Sequence, residues 1–300
     1  MGVESAKKMT INEAMKIYKK FSQMNNPSEE DVFRYTEAME FLISETKNPE
    51  YMMNLGGYYY EIRKFDLALK YYEMAESYDY APAYECLGYI WYYGRTGERD
   101  YKKAFTYYSK AAEKGNLVCE YKLADMYKNG YYVPKDYEKY KSIIESLYPK
   151  IKDTEQLFDP LPEIFTRLAR IRAEEGRNED AIELYLTAKD FLAQRIHYNA
   201  YFGNLNIMKW LIQDLYKLID FDSEEFDFFD LYYVLQSPAK LTFDYSGKTH
   251  TVESSMENNE CVICFDGKWF RNIDDFFQKA CIGGDKLTAV ADDLYDFEVI

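Results

Sequence analysis

The sequence predicts a mainly α fold, an α-solenoid of stacked helical hairpins followed by a small α+β module. Three observations carry this expectation. First, a pattern returns with a period of about 36 residues: Leu87-Gly88, Gly94, Asp100, Lys103-Ala104, then Leu123-Ala124, Gly130, Asp136, Lys139. Repeats of that length are supersecondary units that bury their apolar faces only by stacking on one another. Second, small residues (Gly56, Gly88, Ala124, Ala169) sit mid-helix one step after a large apolar residue. A mid-helix Gly costs roughly 1 kcal/mol against Ala, a cost that close helix approach can offset. Third, the hydrophobic period changes near residue 240, where Leu241-Thr242-Phe243-Asp244-Tyr245 alternates as a half-buried strand does.

The elements follow in order. Thr10 and Ser28, with Glu13 and Asp31 three residues on, mark the starts of two helices that form an N-terminal capping hairpin over residues 1–48. Four hairpins then span residues 49–195, the last beginning after Pro149, Pro160 and Pro162. Ala68, Ala104 and Ala181 are the small residues of the second helices, and Tyr72, Tyr108 and Tyr185 are placed to wedge between neighbouring hairpins. Residues 196–236, with Leu205, Met208, Leu211 and Leu215 at helical spacing, cap the stack, and Phe226–Leu235 suggests a further helix. Residues 237–300 form the module. Strands are expected over 240–245, 249–252, 260–265 and 268–270, with turns at Ser246-Gly247 and Asp266-Gly267. Asn272 caps a short helix, and Asp285 is read as the cap of a last one.

These residues resemble two related families. Gly56 to Ala68 and Ala169 to Ala181 are each 12 apart, similar to tetratricopeptide repeats. The longer spacing from Gly88 to Ala104, with Gly94, Asp100 and Ala111-Ala112-Glu113-Lys114-Gly115, resembles the Sel1-like repeat. The third pair departs from it, since Tyr140 stands where Ala is expected. The resemblance covers roughly residues 50–195. It implies a right-handed α-α superhelix with a concave groove. It also implies a non-catalytic scaffold holding a protein or peptide segment.

The chain carries a net charge of −15. Residues 221–300 hold 17 Asp/Glu against 6 Lys/Arg, so most of the excess lies in the last eighty residues. An acidic chain without a basic stripe is a poor ligand for nucleic acid. No apolar run is long enough to span a membrane, and the first residues lack a signal core, so a cytoplasmic location is expected. The five cysteines are expected as free thiols. Cys261 and Cys264 form a C-x-x-C without a second pair, and on a strand they point to opposite faces, so no metal is expected. Gly247-Lys248-Thr249 precedes a strand rather than a helix and is read as a turn, not a phosphate loop. His197 and His250 lack any nucleophile signature. No catalytic residue and no cofactor are expected.

Tyrosine is the compositional anomaly, 32 of 300 residues. In the frame of the repeat, the concave face is lined by positions on the first helix of each hairpin. Tyr60, Glu85, Tyr89, Tyr92, Tyr93, Tyr121, Asp125, Lys128 and Arg170 are therefore the candidate partner-binding residues. Tyrosine offers a large contact area with few torsions to freeze. A second reading makes the chain an acidic inhibitor or immunity-type protein, whose module covers a basic site on a partner enzyme or nuclease.

Overall fold

A computed structural model describes residues 9–24, 26–154, 160–220, 226–257 and 260–300. The chain divides into two compact units, Met1–Tyr140 and Lys141–Ile300.

The first unit is helical throughout. Thr10 and Ser28 each complete a capping box, so α1 (Ile11–Phe21) and α2 (Glu29–Thr46) begin where their side chains satisfy the orphan amides. Asn48 caps α3 (Pro49–Glu61), which a tight turn joins to α4 (Phe65–Glu76). Then come α5 (Ala81–Tyr93), α6 (Tyr101–Glu113), α7 (Leu117–Asn129) and the start of α8 (Tyr137–Ile151). The 36-residue period is visible in the loops. Gly94 and Gly130 end α5 and α7 with left-handed φ of 63° and 70°, a region where a Cβ is strained. In each loop the closing aspartate returns its amide to the preceding helix, Asp100 to the Trp91 carbonyl at 3.0 Å and Asp136 to that of Tyr127 at 2.9 Å. The same aspartates accept from the amides of Lys103 and Lys139.

The small residues do what their spacing suggests. Gly56 and Gly88 are buried beneath the rings of Tyr72 and Tyr108 on the second helix of the same hairpin. A Cβ on Gly88 would lie 2.4 Å from the Tyr108 ring. Those rings also reach the next hairpin: Tyr72 packs with Leu87 and Ile90, and Tyr108 with Cys119 and Met126. Tyr140, at the position of the expected Ala, is fully buried. Successive hairpins are further joined by polar bonds from about one repeat away. Tyr71 Oη donates to Glu40 at 2.8 Å, Tyr107 Oη to Glu76 at 3.2 Å, and Asn116 to Glu85 at 2.7 Å.

The second unit contains the remainder of α8, the hairpin α9 (Leu161–Glu174) and α10 (Asn178–Tyr198), and α11 (Phe202–Leu215). The helix expected over 226–235 is shorter: a 3-10 turn (Phe228–Asp230) leads into one turn, α12 (Leu231–Val234). The five-stranded antiparallel sheet follows, in the order β4-β3-β2-β1-β7. Its strands are β1 (Ala239–Tyr245), β2 (Lys248–Glu257), β3 (Glu260–Phe265), β4 (Lys268–Phe270) and β7 (Tyr295–Val299). The helix α13 (Ile273–Lys279) is capped by Asn272 as expected, and β5 (Cys281–Ile282) pairs with β6 (Asp285–Lys286). Leu241, Phe243, Val252, Ile263, Phe265 and Phe270 are buried, as are Phe276 and Phe277 of α13. Phe277 stacks on Tyr232 at 3.8 Å, fastening the sheet to the segment before it.

The end of the chain differs from the reading of its sequence. Asp285 does not cap a helix. It lies in β6, two 3-10 turns follow at Leu287–Ala289 and Ala291–Asp293, and β7 adds to the free edge of β1. An edge left unpaired by the first four strands is a stronger constraint on that segment than the local capping signal. Cys261 and Cys264 share β3. Cys261 Sγ donates to the Leu235 carbonyl at 3.2 Å, while Cys264 pairs across to Trp269.

Candidate partner-binding surface

The first unit gathers tyrosines from neighbouring repeats. Tyr60 ends α3, and its ring meets Phe65 at 5.2 Å and Tyr89 of α5 at 6.5 Å. Tyr89 and Tyr93, four apart on one helical face, are 4.4 Å between centroids, and Tyr93 meets Tyr92 at 4.9 Å. Tyr60, Tyr89, Tyr92 and Tyr93 are all half-buried. Within this set Tyr92 turns inward. It packs against Tyr101, Tyr108 and Tyr131, and burial followed by the charge of Asp125 pushes its hydroxyl well above the ordinary tyrosine range. Tyr60, Tyr89 and Tyr93 remain as the outward part of the patch.

Two cations hold that part. Gly94 reverses the chain after α5 and brings Arg95 back over it, the Arg95 amide donating to the Ile90 carbonyl. Its guanidinium carbon lies 5.9 Å from the Tyr60 ring, 5.8 Å from Phe65, 5.9 Å from Tyr89 and 5.2 Å from Tyr93. Arg95 Nε donates to Tyr60 Oη at 2.9 Å. From α7, Lys122 Nζ lies 5.8 Å from Tyr89, 5.8 Å from Tyr92 and 5.6 Å from Tyr93, and donates to Tyr93 Oη at 3.3 Å. Cations over ring faces at these distances are attracted by the ring quadrupole. Among the described residues neither Arg95 nor Lys122 has a carboxylate in ion-pair contact; their polar partners are the two tyrosine hydroxyls.

The other residues expected on this face are placed differently. Tyr121 is buried, 6% exposed, and Lys122 stands beside the patch instead. One residue is about 100° around a helix, which is enough to exchange an outward position for an inward one. Glu85 is engaged by Asn116, the N-cap of α7, and so helps fix the start of that helix. Asp125 is half-buried and near enough to Tyr92 to shift its hydroxyl. Lys128 lies 4.7 Å above the Tyr140 ring. Arg170 belongs to the second unit, where its Nε meets Asp214 Oδ2 of α11 at 2.6 Å. Arg95 and Lys122 were not singled out by the sequence. Arg95 follows a glycine cap rather than lying on a helix, and Lys122 falls one position off the frame.

Among the described residues no group of three or more His, Cys, Asp and Glu side chains could hold an ion. His250 Nδ1 sits 2.6 Å from Asp266 Oδ2, and Asp266 also accepts from the Thr251 amide, so this pair closes the turn between β3 and β4 onto β2. No helix among the described residues is long and apolar enough to cross a membrane.

The Sel1 repeat family matches residues 49–77, 81–116 and 117–139. Residues 49–139 are thus Sel1-like repeats. The first hairpin, whose short spacing resembles a tetratricopeptide repeat, falls within the Sel1 match, as does the second, while the third is matched only through α7 and the start of α8. No curated relative matches the sequence. Solved structures that the chain matches in part include a Sel1 repeat protein from Oxalobacter formigenes, 19% identical over 75% of this chain and 82% of that one, with a TM-score of 0.49. Another is a protective antigen of uropathogenic Escherichia coli displaying an SLR fold, 18% identical over 71% of this chain and 50% of that one, TM-score 0.47. A third is PilW, a type IV pilus biogenesis factor, 16% identical over 69% and 90% of the two chains, TM-score 0.43.

Proposed function

We propose that this protein is a non-catalytic interaction scaffold that holds a segment of a partner protein against the tyrosine surface of its first unit. The observation that supports this is the joining of Tyr60, Tyr89 and Tyr93, from two successive repeats, into one half-exposed aromatic face with Arg95 and Lys122 over its rings. Aromatic and arginine side chains are the residues that most often dominate binding energy at interfaces. Gly88 and Tyr108 fill the crossing of α5 and α6, and of the face itself Tyr60 also packs on Ala68, Tyr72, Leu87 and Ile90. The test is the double variant Tyr89→Ala, Tyr93→Ala in the full chain. It is expected to keep its helical content and to lose partner binding by about 2 kcal/mol or more. Unchanged partner capture by a folded variant would refute the proposal.

A second reading has its own observation. In the second unit a cleft of about 590 Å³ is lined by Asp190, Asp227, Asp292 and Asp296 together with Phe226, Phe228, Phe229, Tyr295 and Phe297. Its acidic and aromatic lining suits a basic side chain of a partner, as expected of an acidic inhibitor. Asp292→Lys with Asp296→Lys is expected to abolish capture of basic partners under this reading and to leave the tyrosine-surface partners in place.

A further inference from the structure

Arg95 and Lys122 are the two cations that lie over the rings of the tyrosine surface. In the first unit Lys110 pairs with Glu76 at 2.9 Å and Lys114 with Asp79 at 2.8 Å, while Lys103 lies over the Trp91 ring at 3.6 Å. Arg95 and Lys122 are half-buried among tyrosines. Each lies under 6 Å from the Tyr93 ring, so the two like charges are held within about 11 Å of each other, a mutual cost that no nearby anion in contact offsets. A ring quadrupole attracts a cation but does not neutralise it. The hydrogen-bond inventory is also incomplete. Arg95 uses Nε on Tyr60, which fixes the plane of its guanidinium and leaves the two terminal nitrogens as donors. Lys122 uses one donor on Tyr93.

We propose that the group seated between Arg95 and Lys122 is a peptide carboxylate, an Asp or Glu side chain of the partner, with an adjacent apolar residue packed on Tyr89 and Tyr93. This rests on the reading of the tyrosine surface as the binding face, and adds the charge that the face selects. A carboxylate takes paired N–H bonds from the terminal nitrogens of a guanidinium, and a tethered lysine supplies the second charge. The same two elements, cation and aromatic ring, also suit single-stranded nucleic acid. The rest of the molecule argues against that partner. Two cations make no basic track for a phosphate backbone, and the unit that carries them is not basic, with 22 Asp/Glu against 20 Lys/Arg over residues 1–140.

The experiment selects random displayed peptides on the full chain and measures the recovered peptides by fluorescence anisotropy. The expected peptides are rich in Asp or Glu beside an apolar residue. Replacing the acid by its amide in the peptide is expected to weaken binding about tenfold or more to the wild-type chain, and to change little with Arg95→Gln, Lys122→Gln. Circular dichroism establishes that the variant is folded, and Lys122→Gln alone serves if the double variant is not. Peptides that need Tyr89 and Tyr93 but tolerate the amide would overturn the carboxylate assignment and leave the binding face standing. Peptides indifferent to Tyr89→Ala, Tyr93→Ala would overturn both. Displacement of the acidic peptides by an oligothymidine strand, with sensitivity to Arg95→Gln, would reassign the site to phosphate and refute the inference.

Discussion

Replacing Gly88 by Ala is the sharpest test of how the repeats are held together, because two effects oppose each other and the structure decides between them. Gly88 lies inside α5, where the methyl group of Ala would remove backbone freedom from the unfolded chain and favour the helix by about 1 kcal/mol. Against this, the new Cβ would lie 2.4 Å from both Cδ1 and Cε1 of Tyr108, where carbon atoms in contact rest about 3.5–4.0 Å apart. Tyr108 cannot swing away at low cost. It is 0% exposed and packed among Ala104, Ala111, Cys119 and Met126. Overpacking of this kind costs typically about 1–3 kcal/mol, so Gly88→Ala is expected to be destabilising overall, and Gly88→Leu more so. Gly57 supplies the control. It is also mid-helix, in α3, and a Cβ there meets nothing within 4 Å, so Gly57→Ala is expected to gain the helical term alone, about 1 kcal/mol. Urea denaturation followed by circular dichroism gives both midpoints. Opposite signs for the two substitutions are expected. If Gly88→Ala were as stable as wild type, or moved with Gly57→Ala, the close crossing would not be what Gly88 provides.

Other expectations follow from single polar groups. Tyr108 Oη is buried without a protein hydrogen-bond partner among the described residues, so Tyr108→Phe is expected to leave stability unchanged or raise it by up to about 1–2 kcal/mol in thermal melting. Lys189 is 8% exposed and bonds Asp227 at 2.7 Å and Asp230 at 2.9 Å, with Asp230 1% exposed; Lys189→Met strands these acids and is expected to cost about 3–5 kcal/mol. Burial alone would raise the Asp214 carboxyl, but the hydrogen bond from Lys217 and the charge of Arg170 outweigh it and hold the group below its ordinary range. Its stabilisation is therefore complete above the ordinary Asp pKa of about 3.9 and is lost as pH falls through the lower folded value, so the deficit of Asp214→Asn near pH 7 should shrink toward about pH 2.5 in urea titrations.

Elements with a local cause were legible in the sequence. The caps at Thr10, Ser28, Asn48 and Asn272 act within their own turn, and the glycine–aspartate loops repeat at 36 residues because each closes on its own helix. The strand β7 was missed because its pairing partner lies some fifty residues earlier, and nothing within Tyr295–Val299 announces an open edge on β1. The tyrosine surface was legible in part. Tyr60, Tyr89 and Tyr93 come together as the repeat frame suggests, while Tyr121 is buried. Arg95 and Lys122 were not legible, because their place over the rings depends on a loop reversal and on the turn of the next repeat.

The abundance of tyrosine acquires two explanations, and the direction of the hydroxyl bond separates them. Tyr71 and Tyr107 donate to Glu40 and Glu76, each 31 residues earlier, so a hydroxyl at that position ties one hairpin to the one before it. Phenylalanine would fill the same space and leave the joint unmade. Tyr60 and Tyr93 do the reverse: they accept, from Arg95 and Lys122, and so hold a cation over the aromatic face. The two classes should respond differently to removal of one oxygen. Tyr71→Phe and Tyr107→Phe are expected to lower stability by about 1–2 kcal/mol each, since a bond to a carboxylate is lost between repeats. Tyr60→Phe and Tyr93→Phe are expected to change stability by less than about 0.5 kcal/mol, because each half-buried cation keeps its ring contacts. They should nonetheless weaken binding of a partner whose carboxylate needs the cations in place. Thermal melting and peptide titration of the four variants measure both quantities. Equal stability losses in all four would show that every one of these tyrosines serves packing, and the distinction between joint and surface would fail.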